Sequence, residues 1–134
     1  MKKLIFFITF GLFVAFFCDP SFTEGSSLKD FGSFAGKASW YSSSDRGVRR
    51  TTANMEIFND KELTCAAWGL PFNSLLEVTN LDNGKSVIVR VNDRGPARRL
   101  VRRGRVIDLT KSAFSRISHH KKGLINVRVM IKSL

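Results

Sequence analysis

Two alternating apolar stretches, residues 75–81 and 85–92, are joined through Asp82-Asn83-Gly84. Asn-Gly between such stretches is the strongest short signal for a β-hairpin, because both turn residues must tolerate positive φ. In the second stretch Val87, Val89 and Val91 share one face, with Ser86, Ile88 and Arg90 on the other, so one side faces a core. Residues 124–132 repeat the pattern, with Ile125, Val127, Val129 and Ile131 opposite Asn126, Arg128 and Lys132. From Gly36 onward, short apolar runs alternate with turn residues, which predicts a mainly β domain. Thr110 is placed to cap a short helix over residues 111–118, in which Ala113, Phe114 and Ile117 fall on one face and Gly123 follows the end. Strands with one or two short helices suggest a small closed barrel, an arrangement that leaves no exposed sheet edge.

At 134 residues the chain has room for one domain. Residues 1–26 read as a signal segment: Met1-Lys2-Lys3 is a positive start, and the 15 residues from Leu4 to Cys18 carry no charge. That run is short for a membrane span, which needs roughly 20 apolar residues. Its end admits two processing routes: acylation at Cys18, as in a bacterial lipoprotein, or ordinary cleavage near Gly25-Ser26. An uncleaved N-terminal anchor is a further alternative. Residues 27–35 read as a linker rich in Ser, Gly and charge, and residues 36–134 as the folded barrel. Beyond Cys18 only Cys65 remains, so no internal disulfide staples the domain.

The formal net charge of +11 gives a surface that seeks polyanions. A signal segment argues against nucleic acid and toward the lipid head groups, carboxylates and phosphates of a cell envelope. No metal or cofactor is called for. The adjacent His119 and His120 with a lone Cys65 do not supply a spaced zinc ligand set, and the histidines are expected solvated at the helix end, where protonation is mildly favoured. Cys65 in an apolar strand reads as a small core residue.

The segment Val89-Arg90-Val91-Asn92-Asp93-Arg94-Gly95-Pro96 runs from a strand straight into a stiff turn carrying a carboxylate and a guanidinium. Such a strand end suits a rigid functional site, although Asp and Gly are also ordinary turn formers. Arg98, Arg99, Arg102, Arg103 and Arg105 follow it, either as a patch for an anionic polymer or as a solvated charged loop. Trp40 and Tyr41 read as core or as stacking surfaces for sugar rings.

Gly36-Lys37-Ala38-Ser39-Trp40-Tyr41, Thr52-Ala53-Asn54, Leu70-Pro71-Phe72, Val78-Thr79-Asn80-Leu81 with Asn83-Gly84, Val89 to Pro96, and Arg105-Val106-Ile107-Asp108-Leu109 follow one another in an order that resembles the rare lipoprotein A (RlpA) family. The resemblance implies a six-stranded double-psi β-barrel. It further implies an endolytic peptidoglycan transglycosylase that cleaves the bond between N-acetylmuramic acid and N-acetylglucosamine, on peptide-poor strands, leaving a 1,6-anhydro end. In that lyase step the sugar's own 6-hydroxyl attacks, so one carboxyl can serve first as acid and then as base. Asp93 matches the family's catalytic aspartate, and Asn92, Arg94, Glu56 and Trp68 are expected to contact glycan. The family histidine falls at Ala67, which offers no acid or base, so a glycan-binding, expansin-like barrel that does not cut is the alternative. Met55 stands where the family usually carries glycine. An exported, monomeric envelope protein is implied, in the periplasm or tethered to a membrane.

Overall fold

The structure, a computed structural model, describes residues 31–134. The expected signal segment, Cys18 and the start of the linker lie outside the described residues. Six strands, β1 (Ser33–Tyr41), β2 (Thr64–Ala66), β3 (Leu75–Asn80), β4 (Ser86–Asp93), β5 (Arg105–Thr110) and β6 (Leu124–Ser133), close into a barrel in the order β1-β5-β2-β4-β3-β6. β1 with β5 and β2 with β4 run parallel, and the remaining pairs are antiparallel. This is the expected closed architecture. β1 begins at Ser33, three residues before the expected domain start, because Ser33, Phe34 and Ala35 continue the antiparallel ladder against Met130, Val129 and Arg128.

The alternation read from the sequence becomes the core. Val87, Val89 and Val91 of β4, Ile125, Val127 and Val129 of β6, and Leu76 and Val78 of β3 are buried, while Ile88 faces solvent. The hairpin pairs Val78 with Val87 and Leu76 with Val89, so the apolar faces coincide. Two helices lie on the strands: α1 (Arg98–Val101) and α2 (Lys111–Ile117). α2 is capped by Thr110, whose hydroxyl accepts from the Ala113 N–H, and it buries Ala113, Phe114 and Ile117 over one end of the barrel. Burying a phenylalanine and an isoleucine side chain stabilises by about 1.5–3 kcal/mol each. The chain then makes a short 3₁₀ turn, His120–Lys122, before Gly123 and β6.

One close approach fixes β1 against β5. A Cβ on Gly36 would lie 2.4 Å from Val106 Cγ1 and 2.8 Å from the Gly104 carbonyl oxygen, so no side chain fits.

Candidate active site

β4 carries the first site residue by breaking its own alternation. With Val87, Val89 and Val91 inward, strict period two would send Asp93 into the core. Against β2, however, Cys65 pairs with Val91 and Ala66 with Asp93, so Asn92 is an extra residue at a bulge. The bulge turns Asp93 outward, as bulges beside functional sites do. Asn92 itself is buried, and its side-chain amide donates to Glu56 Oε2 at 3.2 Å.

Asp93 is then held from two sides. Its Oδ1 accepts from the backbone N–H of Ala53 at 3.0 Å and of Arg94 at 2.8 Å, leaving Oδ2 without a hydrogen-bond donor among the described residues. It borders an open cleft of about 480 Å³ with Tyr41, Gly47, Val48, Arg49, Ala66, Arg94 and Asp108, closed on one side by residues 51–53. The wall formed by residues 43–50 is tied down at its base. The Ser42 hydroxyl donates to Asp60 Oδ2 at 2.6 Å, and the Ser42 N–H donates to Asp45 Oδ2 at 2.8 Å.

Glu56 and Asn92, both expected to contact glycan, form a clamp behind Asp93, outside the cleft lining. Glu56 accepts two bonds from the Arg90 guanidinium, at 2.7 and 2.9 Å, and one each from Asn54 and Asn92. Those bonds, Arg90 first, hold its carboxyl down at about 2, well below the usual carboxylate range. The same turn presents the Ala53 N–H to Asp93, so the clamp orients the site without lining it. Within the turn Met55 keeps a left-handed backbone, φ 72°, the conformation a glycine would adopt freely, with its side chain in solvent.

Arg94 borders the cleft but is partly engaged: it donates to the Ala67 carbonyl at 3.1 Å and stacks 3.8 Å from the Phe72 ring centroid. Trp68 lies outside the cleft lining, on an exposed shelf. Its indole N–H donates to the Pro96 carbonyl at 2.7 Å, and the Arg98 guanidinium sits 4.3 Å over its ring. Arg98, Arg99, Arg102 and Arg103 are exposed, whereas Arg105 turns back to Asp108 at 3.8 Å and leaves the patch. Ala67 is buried in the core, with no titratable side chain to offer.

Neither histidine borders the cleft. His120 accepts at its backbone oxygen from the Trp40 indole, and its ring is pushed toward the neutral form by partial desolvation and then by His119, Lys111 and Lys121. For His120 the expectation of favoured protonation is corrected: desolvation first, and then the neighbouring positive charges, disfavour its imidazolium. Cys65 is fully buried, and burial pushes its thiol far up, so it packs and does not attack. Tyr41 stacks on Phe58, and its hydroxyl is buried without a hydrogen-bond partner among the described residues. Burial, then the charge of Asp93, keeps that hydroxyl protonated.

Asp108 was missed as a separate candidate. It projects from β5 between the inward Ile107 and Leu109 and accepts a hydrogen bond from the Ser39 hydroxyl at Oδ1. Burial first, opposed by Ser39 and Arg105 and helped by the charge of Asp93, raises its pKa. Ile107 and Leu109 are buried, so strand alternation puts Asp108 on the outer face, and nothing local announces that the cleft lies on that face.

A family model described as lytic transglycolase matches residues 33–129. A Synechocystis protein named "Probable endolytic peptidoglycan transglycosylase RlpA" is 49% identical over 72% of this chain and 28% of its own length. Endolytic peptidoglycan transglycosylase RlpA of Vibrio cholerae is 44% identical over 72% of this chain and 35% of its own length. The chain thus spans about a third of the curated relatives it matches. Among solved structures, the Streptomyces papain inhibitor superposes with a TM-score of 0.59 at 18% identity, covering 78% of this chain and 97% of that one. A mutant Clavibacter michiganensis expansin in complex with cellohexaose superposes with a TM-score of 0.54 at 21% identity, covering 75% of this chain and 50% of that one. These likenesses extend to the fold alone, whereas the family match covers the barrel and every residue of the cleft, and the chain belongs to the lytic transglycolase family of double-psi β-barrels.

Proposed function

We propose that this chain is an endolytic peptidoglycan lytic transglycosylase that cleaves N-acetylmuramic acid–N-acetylglucosamine bonds to 1,6-anhydro ends, on glycan strands poor in stem peptides. The observation that carries the reading is Asp93: a carboxyl turned out of the core by a bulge, fixed through one oxygen by two backbone donors, its other oxygen without a donor among the described residues, at the edge of an open cleft. Such preorganisation suits proton transfer, because the group need not reorganise during the reaction. The leaving glycosidic oxygen takes a proton, the 6-hydroxyl loses one and closes on C1, and no water enters. Arg94 and Arg49 bring positive charge to the cleft, and exposed Arg98, Arg99, Arg102 and Arg103 extend it for an anionic polymer. Trp68 offers its exposed face to a sugar ring beyond the cleft. The work takes place outside the cytoplasm, in the periplasm or envelope, with the chain as a monomer. The N-terminal segment either tethers the chain there, through acylated Cys18 or as an uncleaved anchor, or is removed by ordinary cleavage near Gly25-Ser26.

A second reading, a barrel that holds glycan without cutting it, is favoured by one observation: Ala67 supplies no acid or base beside Asp93. The test incubates the purified protein, beside Asp93→Asn, with intact and with peptide-stripped peptidoglycan, and searches the soluble products for 1,6-anhydro ends by mass spectrometry. Anhydro ends from the parent alone are expected, more from the stripped substrate. Their absence, with both proteins still pelleting with the glycan, would replace the lyase by a binding module.

A further inference from the structure

Four strands put one row of residues side by side, of which Asp108, Ala66 and Asp93 border the cleft. Ser39 of β1 pairs with Asp108 of β5, Asp108 pairs with Ala66 of β2, and Ala66 pairs with Asp93 of β4. Adjacent strands lie about 4.8 Å apart, so the two aspartate backbones stand about 10 Å from each other. The residue between them is an alanine, whose methyl leaves the space over the floor open to both carboxyls.

Asp108 is oriented from the far side of this row. Oδ1 accepts from Ser39 and lies 3.8 Å from Arg105 Nη1. Oδ2 lies beside Gly95: a Cβ built there would come 3.4 Å from it and 3.1 Å from the Ala66 Cβ, so a glycine at 95 avoids crowding this oxygen. The groups facing Asp108 are Ser39 and the protonated Tyr41 from β1, Arg105 from its own strand, and Asp93 from β4; Arg94 and Arg49 border the same cleft. Their balance, dominated by burial, favours the proton-bearing form of Asp108 more than for an ordinary carboxyl. Two carboxyls in one cleft with different surroundings are the usual basis for dividing acid and base work.

We propose that Asp108 is a second catalytic residue of this site, delivering a proton to the leaving glycosidic oxygen while Asp93 receives the proton of the attacking 6-hydroxyl. The inference rests on the transglycosylase reading and divides its proton work between two groups. The C1–O4 bond breaks with its electron pair going to O4, which takes the Asp108 proton. The C1–O6 bond forms, and the O6 proton passes to Asp93. The pair ends with as many protons as it began with, and exchange with solvent returns the proton to Asp108 before the next turnover.

The experiment measures release of 1,6-anhydro ends from peptide-stripped peptidoglycan between pH 4 and 9, with the full-length protein, Asp108→Asn and Ser39→Ala. An asparagine still accepts the Ser39 hydroxyl, so a far-ultraviolet dichroism melt should leave Asp108→Asn folded. Its rate should fall by about 10²- to 10⁴-fold, the range for loss of a general acid, with sedimentation on glycan unchanged. Ser39→Ala removes a bond that favours the charged form of Asp108, so the alkaline limb of the rate profile should move to higher pH. A merely structural Asp108 would move no limb. If the parent cuts and Asp108→Asn keeps its rate within threefold, the second carboxyl is refuted while the transglycosylase reading stands. Should Asp108→Asn fail to fold, an alkaline limb unmoved by Ser39→Ala refutes it instead. A parent that yields no anhydro ends overturns both.

Discussion

Replacing Glu56 by glutamine tests whether the clamp behind Asp93 is a structural device. The substitution keeps the shape and removes the charge. One amide oxygen can still accept from Arg90, but the amide NH₂ then faces a guanidinium or the Asn92 amide, donor against donor. A carboxyl lowered from 4.5 to about 2 corresponds nominally to about 3 kcal/mol of preference for the charged form. The Glu56 side chain is 36% exposed, so solvent screening reduces the contribution to about 1 kcal/mol. For a domain of this size that is a fall in Tm of about 4–8 °C. The folded pKa lies below the unfolded one, so this stability is present above about pH 4.5 and is lost as the pH falls through about 2. Thermal melts of parent and Glu56→Gln should therefore differ at pH 7, converge between pH 4.5 and 2, and meet at the acid end. Equal melting temperatures at pH 7, or a gap that persists undiminished at pH 2, would refute the clamp.

Two backbone positions give sharper tests of packing and strain. Gly36→Ala drives a methyl onto Val106 and the Gly104 carbonyl, and should cost about 1–3 kcal/mol in urea unfolding, the range for overpacking a tight contact. Met55→Gly relieves a left-handed residue whose side chain makes no buried contact, and should raise stability by about 0.5–1 kcal/mol, the strain released less the added freedom of the unfolded glycine. A loss of stability there would mean that the exposed methionine packs in a way the fold does not reveal.

The parts of the fold legible in the sequence are those with a local period and a local stop. The β3–β4 hairpin, the last strand and the Thr110-capped helix each announced themselves through alternation, an Asn-Gly turn or a cap. β2 has only three residues, all buried, so it offers neither alternation nor length. Its two neighbours in the barrel, one parallel and one antiparallel, are long-range facts that no window contains. The site divides in the same way. Asp93 could be picked out because it ends a strand in a stiff turn. That Asn92 is a bulge could not, since a bulge is defined by the partner strand. Glu56 and Asn92 were named from the family resemblance; that Arg90, on the outer face of β4, gathers them into a clamp by reaching back across 34 positions is a long-range fact no window contains.

Position 67 shows how the site is held without a contribution from a side chain there. The Ala67 N–H donates to the Asp93 carbonyl at 3.2 Å, and the Ala67 carbonyl accepts from Arg94 at 3.1 Å. Both bonds are made by the backbone, so any residue compatible with the buried environment preserves them. The methyl meanwhile joins the core. Whatever proton chemistry a titratable group at this position would have added, the placement of Asp93 and Arg94 does not depend on it. The two functional readings therefore share one cleft geometry and part only at the proton. A barrel that merely holds glycan needs the charge of Arg94 and the walls around the floor; one that cuts must also find a group able to carry a proton there. Within the described residues that line the cleft, Asp93 and Asp108 supply the carboxyls, while burial keeps the Tyr41 hydroxyl protonated.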